Sequence, residues 1–294
     1  MAFASAKSNI KLEIFKEYSS DVKNINFMVA CSDGSVWIGD NTRSKLQHVK
    51  LTENKTEVIT SLNTNIYGIA ITHSNNILVK DSTPTKLRQI NTVTGEITDS
   101  IYDIKPLKPV DIHVTSDHRV IIGASSPLSR VVIVLDQEGK QLKRYENDKH
   151  NKRLFTLPRY ITSTSNGNIC VVDTFDRDFH GRVVVLSPGG DIIGTYTGHP
   201  DVNTKKKPFK AFEILTTPSD NIVVTDTENH LLHILSDQGQ IITYYNLSDM
   251  GILRPHSPTL SSTGTILIGC LEKKAFFVIS DKKAKLYELE YSGF

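Results

Sequence analysis

Short, β-branched apolar runs recur along the whole chain, and each is entered through a polar turn. Residues 32–40 read SDGSVWIGD, 74–81 SNNILVKD, 165–173 SNGNICVVD, 219–226 SDNIVVTD and 262–270 STGTILIGC, with a weaker copy, SDHRVIIGA, at 116–124. A Ser/Asp/Asn/Gly turn followed by a few β-branched residues is the signature of a hairpin turn leading into a strand. No stretch sustains apolar residues at helical spacing over roughly three turns. The pattern predicts an all-β chain built from one repeated unit.

The copies end at Asp40, Asp81, Ala124, Asp173, Asp226 and Cys270. Thirteen positions earlier stand Phe27, Gly68, Asp111, Tyr160, Glu213 and Ser257. Most of these lie in a second apolar segment, such as 66–71 or 110–114, so each unit holds two strands in fixed register. A third run follows, RVVIVL at 130–135, RVVVL at 182–186 and LLHIL at 231–235. Then come a Gly-bearing turn (DQEGK, SPGGD, SDQGQ) and a fourth short strand, as at 191–196 and 240–245. Four strands in roughly 40 to 50 residues make a propeller blade. The units recur at intervals of 41 to 53 residues, so the connections vary while the unit does not. The predicted fold is an all-β, six-bladed β-propeller with four-stranded blades at about 20–60, 61–103, 104–147, 153–198, 207–247 and 253–291. It forms a single domain over 10–294, preceded by a flexible N-terminus at 1–9. Closing the ring calls for an outer strand in the last blade, and 10–18 (IKLEIFKEY) and 285–291 (KLYELEY) compete for that place.

The fifth unit, DTENHLLHILSDQGQII at 226–242, and the fourth, DTFDRDFHGRVVVLSPGGDII at 173–193, resemble NHL repeats. Each has an Asp closing a strand, a polar turn, an apolar strand and a Gly turn. The segment TYTGHPDVNTKKKPF at 195–209, and Arg254-Pro255 opening the sixth unit, are similar to the C-terminal propellers of invertebrate tripartite-motif (TRIM) proteins, relatives of ubiquitin ligases. The resemblance runs from about residue 20 to the end and is strongest in the fourth and fifth units. It implies a recognition propeller for a protein or an RNA. The chain departs from the family at Ala211 and Glu213, where Pro and Gly are common. RING, B-box and coiled-coil segments, which often precede such propellers, are not seen: Cys31, Cys170 and Cys270 are too scattered to fold a RING around zinc.

Composition narrows the function classes. A net charge of +2 gives no whole-chain basic field, so DNA binding is not expected. Three scattered cysteines match no disulfide framework or zinc spacing and read as small buried residues in a reducing compartment. Without a signal-peptide core or a membrane-length apolar run, a cytoplasmic location is expected.

The first candidate site is a basic surface. Lys149, Lys152, Arg153 and Arg159 precede or open the fourth unit, Lys205, Lys206, Lys207 and Lys210 precede the fifth, and Arg254 opens the sixth. Connections between successive blades emerge on one face, so adjacent blades would set these clusters together. Tyr160, Phe175, Arg177 and His180 fall on the same face. Cations beside aromatics suit phosphates and stacked bases, or an acidic peptide. The second candidate is the central channel, lined by Phe27, Gly68, Asp111, Tyr160, Glu213 and Ser257. Propeller lactonases resemble it in holding a divalent cation on channel acids. Here only Asp111 and Glu213 stand at that level, where such a cation takes about six oxygens. Two solvated acids in a wet channel are expected instead, with no metal and no cofactor. His230 and His233, three apart on one strand, face opposite ways.

No HExxH, GxSxG or Walker loop is present. The expected function is therefore a non-catalytic module that binds a protein partner, within a ubiquitin-ligase system of the TRIM type. The alternatives are single-stranded RNA binding through the basic patch and a cation-dependent propeller hydrolase.

Overall fold

The computed structural model describes residues 10–83, 85–272 and 283–294, so the N-terminal segment expected to be flexible lies outside the described residues. Apart from two short 3-10 turns, every regular element is a strand. Four antiparallel sheets of four strands follow the chain in simple up-and-down order, starting at Gly68–Ile71, Lys108–Val114, Pro158–Ser163 and Ala211–Thr216. A fifth sheet has eight strands. Phe27–Ala30, Val36–Asp40, Lys45–Thr52 and Lys55–Asn63 form one half, and Lys11–Ser19, Lys285–Ser292, Ile266–Cys270 and Pro255–Leu260 form the other. One parallel pair, Ser19 with Lys55, joins the halves. The strands Phe27–Ala30, Gly68–Ile71, Lys108–Val114, Pro158–Ser163, Ala211–Thr216 and Pro255–Leu260 pack in a closed circuit, the last touching the first.

Both chain ends enter the last half-sheet, which resolves the competition between the two terminal segments. Lys285–Ser292 pairs with Ile266–Cys270, and Lys11–Ser19 pairs outside it along its whole length. Tyr18 donates from its hydroxyl to Glu288 Oε2 at 2.7 Å, tying the two ends through side chains as well.

Sheets stacked face to face must be apolar on both sides, which is why the middle strands read as continuous apolar runs. Ile169–Thr174 and Leu231–Leu235 are buried at every position, whereas the outer strand Gln141–Tyr145 buries only Tyr145. Each core cluster forms between successive sheets, as where Ile121, Val132 and Val134 meet Leu154, Ile161, Val171 and Val184. The aspartates closing the second strands fasten the chain arriving from elsewhere. Asp173 Oδ1 accepts from the backbone N–H groups of Thr156 and Leu157 at 2.7 and 2.8 Å. Asp40 Oδ2 does the same for Lys23 and Asn24.

The repeat register holds with one refinement. Phe27, Gly68, Asp111, Tyr160 and Ser257 pair with Gly39, Lys80, Gly123, Val172 and Gly269, each twelve residues on. Four inner strands are irregular at matching places, between Pro109 and Asp111, Pro158 and Tyr160, Ala211 and Ile214, and Pro255 and Ser257. A bulge re-aims the unpaired residue away from the ladder. The residues so re-aimed are Val110, Arg159, Phe212 with Glu213, and His256. No helix among the described residues is long and apolar enough to cross a membrane.

Candidate functional site

Val110, Arg159, Phe212 and His256 all point into one funnel of about 1200 Å³, at the end of the ring where the inner strands begin. Below it the inner strands enclose a channel of about 370 Å³. Phe27, Tyr67 and Tyr160 line both spaces and so form the neck between them. Asp111 and Glu213 line the channel just below, and Lys80 lines the funnel just above.

Asp111 is held from two sides. Its Oδ2 accepts from the Ile161 backbone N–H at 2.8 Å, on the next inner strand. Its Oδ1 faces Gly68 on the preceding one, where an added Cβ would stand 3.6 Å away. Burial raises Asp111 from 3.8 to about 7, against the lowering effect of two backbone hydrogen bonds and of Lys80 and Arg159. Glu213 is pushed well above the carboxylate range by burial and by the charge of Asp111. Both acids are thus reluctant to ionise although they line the channel, Asp111 being poised near neutral pH and Glu213 shifted in the same direction. Burial depresses Lys80, whose ammonium lies 5.3 Å from the centre of the Tyr67 ring. His256 falls to about 3 through burial and the nearby Arg254 and Arg159, so it is a neutral imidazole. Tyr160 is raised to about 12 by burial and stays a phenol.

The funnel also carries Lys108, Arg159, Arg177, Lys210 and Arg254. Arg254 pairs with Glu228 at 3.0 Å. Among the described residues, Lys80, Lys108, Arg159, Arg177 and Lys210 have no ion-pair partner within 4.0 Å, although many cations elsewhere in hairpins and strands sit beside a carboxylate. Unpaired cations converging on a concave site give a local positive potential despite a chain charge of +2.

Of the residues expected on a basic face, the structure brings Arg159, Tyr160, Arg177, Lys210 and Arg254 to the funnel. Lys149, Lys152, Arg153, Lys205, Lys206 and Lys207 are exposed on connecting turns outside its lining. Arg153 donates to the Leu128 carbonyl at 2.8 Å, and the Lys152 backbone N–H to Asp148. Phe175 lies under Arg182, 5.7 Å away, and His180 is bound to Asp176 at 2.7 Å. Of the residues expected in the channel, Phe27, Gly68, Asp111, Tyr160 and Glu213 line it. Ser257 does not: it is buried, with no partner for its hydroxyl. Sequence reasoning missed Tyr67, Lys80, Phe179, Phe212 and His256. A recurring signal could have found three funnel residues: Pro109-Val110-Asp111, Pro158-Arg159-Tyr160 and Pro255-His256-Ser257 share a Pro immediately before the bulge.

A divalent cation does not fit the channel acids. Asp111 and Glu213 are two carboxylates, one oxygen of Asp111 is engaged by backbone, and Lys80 and Arg159 act on the same site with like charge to the ion. The one cluster of three potential ligands among the described residues is Asp176, Asp178 and His180, on an exposed loop. There Asp176 binds the Asp178 and His180 N–H groups and the His180 ring, which makes it a loop staple.

No protein-family model and no curated protein sequence matches the chain. Solved structures do. A streptogramin B lyase is 15% identical with a TM-score of 0.62, covering 98% of this chain and 100% of its own. The PQQ-bound aldose sugar dehydrogenase of Streptomyces coelicolor is 8% identical with a TM-score of 0.69, covering 97% and 99%. A calcium-binding regucalcin of Agrobacterium tumefaciens is 13% identical with a TM-score of 0.63, covering 91% of each chain. The chain is a β-propeller. At such identities the likeness is one of fold, and it does not reach the NHL or tripartite-motif level.

The comparison corrects the expectation of a non-catalytic scaffold in a ubiquitin-ligase system. Propellers of this shape include a lyase and a dehydrogenase, so the fold readily carries chemistry. The expectation rested on missing linear motifs. A propeller site takes its residues from separate blades, and a linear motif is not how such a site would be written.

Proposed function

We propose that this propeller is an acid–base enzyme that cleaves an ester-type bond in a small anionic substrate, working without a metal ion. In this reading the eight-stranded sheet is two blades touching at their outer edges, so the ring has six blades. Its repeats resemble NHL units in blade construction only. The observation that carries the proposal is the pairing of Asp111 and Glu213 beneath a funnel of unpaired cations, with Lys80 and Arg159 between.

Two carboxyls whose surroundings push them to different protonation states divide the roles of base and acid. Asp111, titrating at about 7, when ionised takes a proton from the water molecule that attacks the acyl carbon and forms the new C–O bond. Glu213, whose carboxyl is biased toward the protonated form by burial and by the charge of Asp111, donates a proton to the departing oxygen as the ester bond breaks. Arg159 and Lys210 hold the substrate anion, and Arg159 and Lys80 stabilise negative charge developing near the neck. The neighbouring lyase and dehydrogenase support a catalytic propeller; the donor set here argues for a cation-independent one.

The test is turnover of a panel of aryl esters and lactones, with and without a carboxylate. Carboxylate-bearing members should be preferred, with a rate that rises with pH around 7 as Asp111 ionises. Asp111→Asn should lower kcat on the order of 100-fold or more, and EDTA should leave the rate unchanged. No turnover across the panel, or full activity in Asp111→Asn, would end this reading.

A further inference from the structure

Lys80 breaks the pattern of its repeat position. The pairing of inner and second strands sets Gly39, Gly123, Val172 and Gly269 at the matching place in four other repeats. The glycines there leave room for a neighbour: a Cβ at Gly39 would meet the Phe27 ring, one at Gly123 the Pro158 carbonyl, and one at Gly269 the Ile25 side chain. The second repeat reverses the arrangement, with Gly68 on the inner strand and Lys80 opposite it. A Cβ at Gly68 would lie 3.6 Å from Asp111 Oδ1 and 3.7 Å from the Lys80 Cβ. The gap that this glycine leaves is therefore bordered by the lysine stem on one side and by the acid on the other, and Lys80 reaches the funnel at its neck.

Lys80 is half-buried, and its Nζ lies 5.3 Å from the centre of the Tyr67 ring, whose hydroxyl accepts from Asn65 at 2.7 Å. Among the described residues no carboxylate stands within 4.0 Å of that nitrogen, whereas Lys86, Lys283 and Lys285 each have one. An ammonium serving only to offset Asp111 would be expected in contact with it. Burial depresses the amine, and Arg159 adds to this while Asp111 partly opposes it. A desolvated lysine beside a second cation is the arrangement that frees an amine lone pair near neutral pH. Arg159 acts on both Lys80 and Asp111, so a carboxylate held on Arg159 brings the carbon next to it toward the amine.

We infer that Lys80 is a nucleophile that forms a Schiff base with the carbonyl of a small 2-oxo acid whose carboxylate is held by Arg159. This is a further activity of the same funnel and does not rest on ester cleavage. The Nζ lone pair attacks the carbonyl carbon, and the C=O π pair passes to the oxygen, which takes a proton from the Asp111 carboxyl. The nitrogen returns a proton to the Asp111 carboxylate, giving the carbinolamine. Its hydroxyl, protonated by the same carboxyl, leaves as water while the nitrogen pair closes the C=N bond. Nothing is oxidised or reduced. Asp111, titrating at about 7, can give and take these protons at neutral pH.

The experiment is reductive trapping at neutral pH. The full chain is incubated with pyruvate or with pyruvamide, which has the same ketone without the charge. Cyanoborohydride then reduces any C=N bond to a stable secondary amine, and peptide mass spectrometry locates it. Lys80 should be the first lysine labelled by pyruvate. Its labelling by pyruvamide should be about tenfold slower or more, because the amide forfeits a charge-assisted bond to Arg159. Lys80→Arg keeps the positive charge and should lose this label, while exposed lysines react as in the wild type. The wild-type peptide map decides even where the variant does not fold. Label spread over exposed lysines with Lys80 no faster overturns the inference, and equal labelling of Lys80 by acid and amide overturns the choice of a 2-oxo acid. Labelling of Lys80 without any ester turnover leaves the nucleophile standing and ends the ester reading; ester turnover without labelling does the reverse.

Discussion

Replacing Asp111 by Asn tests the electrostatics of the neck without reference to any substrate. The side chains are nearly the same size, and the Asn carbonyl can still accept from the Ile161 N–H that now binds Asp111 Oδ2. What disappears is a group that is reluctant to ionise. In the folded chain Asp111 titrates at about 7 against 3.8 when unperturbed, burial outweighing the pull of Lys80 and Arg159. Between those values the native chain holds a proton that the unfolded chain has lost. Unfolding free energy therefore falls as pH rises through about 4 to about 7 and levels off above it. The full shift corresponds to about 4 kcal/mol at ~1.4 kcal/mol per unit. The carboxyl borders a channel open to water, so screening should reduce this to an effect on the order of 2 kcal/mol.

The assay is unfolding in urea at a series of pH values from 4.5 to 8 for wild type and Asp111→Asn. Near pH 4.5 both side chains are neutral and the curves should lie close together. By pH 8 the variant should be the more stable by about 2 kcal/mol. Its remaining slope should also be shallower, because the Asp111 charge is one of the causes that raise Glu213. Parallel curves across the range would refute the picture of a desolvated acid. A variant less stable than wild type at pH 8 would show that pairing with Lys80 and Arg159 outweighs burial, reversing the assignment of Asp111 as a base poised at neutral pH.

Three further outcomes follow from the same geometry. Arg159→Ala should cut kcat/KM for carboxylate-bearing esters about 100-fold, a charge-assisted pair being worth roughly 1.5–3 kcal/mol, and should cut it less for uncharged esters, which lose only the charge stabilisation at the neck; steady-state kinetics on the two ester classes reads this out. Gly123→Ala would place a Cβ 2.6 Å from the Pro158 carbonyl, which is backbone and cannot swing aside. The variant should be less stable by about 1–3 kcal/mol and bind anions more weakly, as the adjoining Arg159 is displaced; a loss of stability with unchanged anion affinity would detach the bulge from the site. Asp173→Ala removes the acceptor for Thr156, Leu157 and Arg182, three donors of the connection and strand around the fourth repeat. It should destabilise by about 3 kcal/mol or more, visible as a lowered urea midpoint.

The repeating architecture was legible because its causes are local. A polar turn followed by a β-branched run needs no partner to be recognised, and the inner and second strands kept a fixed offset in sequence because a hairpin fixes register. Ring closure was half legible. Both terminal segments read as strands, but one place was assumed where the last sheet uses both, Lys285–Ser292 inside and Lys11–Ser19 outside. A contact between residues almost the whole chain apart leaves no trace in either segment alone. The channel acids were found from register, but the upward shift in their titration was not legible. Whether Asp111 and Glu213 are solvated depends on how tightly Phe27, Tyr67 and Tyr160 close the neck above them, and that is set by sheets far apart in sequence.

The bulges explain the rest. A regular strand would send Arg159 and His256 into the layers between sheets or along the ladder, where a cation and an imidazole would be buried at a cost. One extra residue in each inner strand turns them into the funnel instead. Because the irregularity occurs at the same place in successive repeats, it converts a symmetric scaffold into a ring of independently variable positions: Val110, Arg159, Phe212 and His256 differ in every chemical respect while their backbones correspond. Acid, base and cation can then be assembled from different blades with no linear motif to mark them. The absence of HExxH, GxSxG and Walker sequences therefore carries no weight against catalysis in this chain.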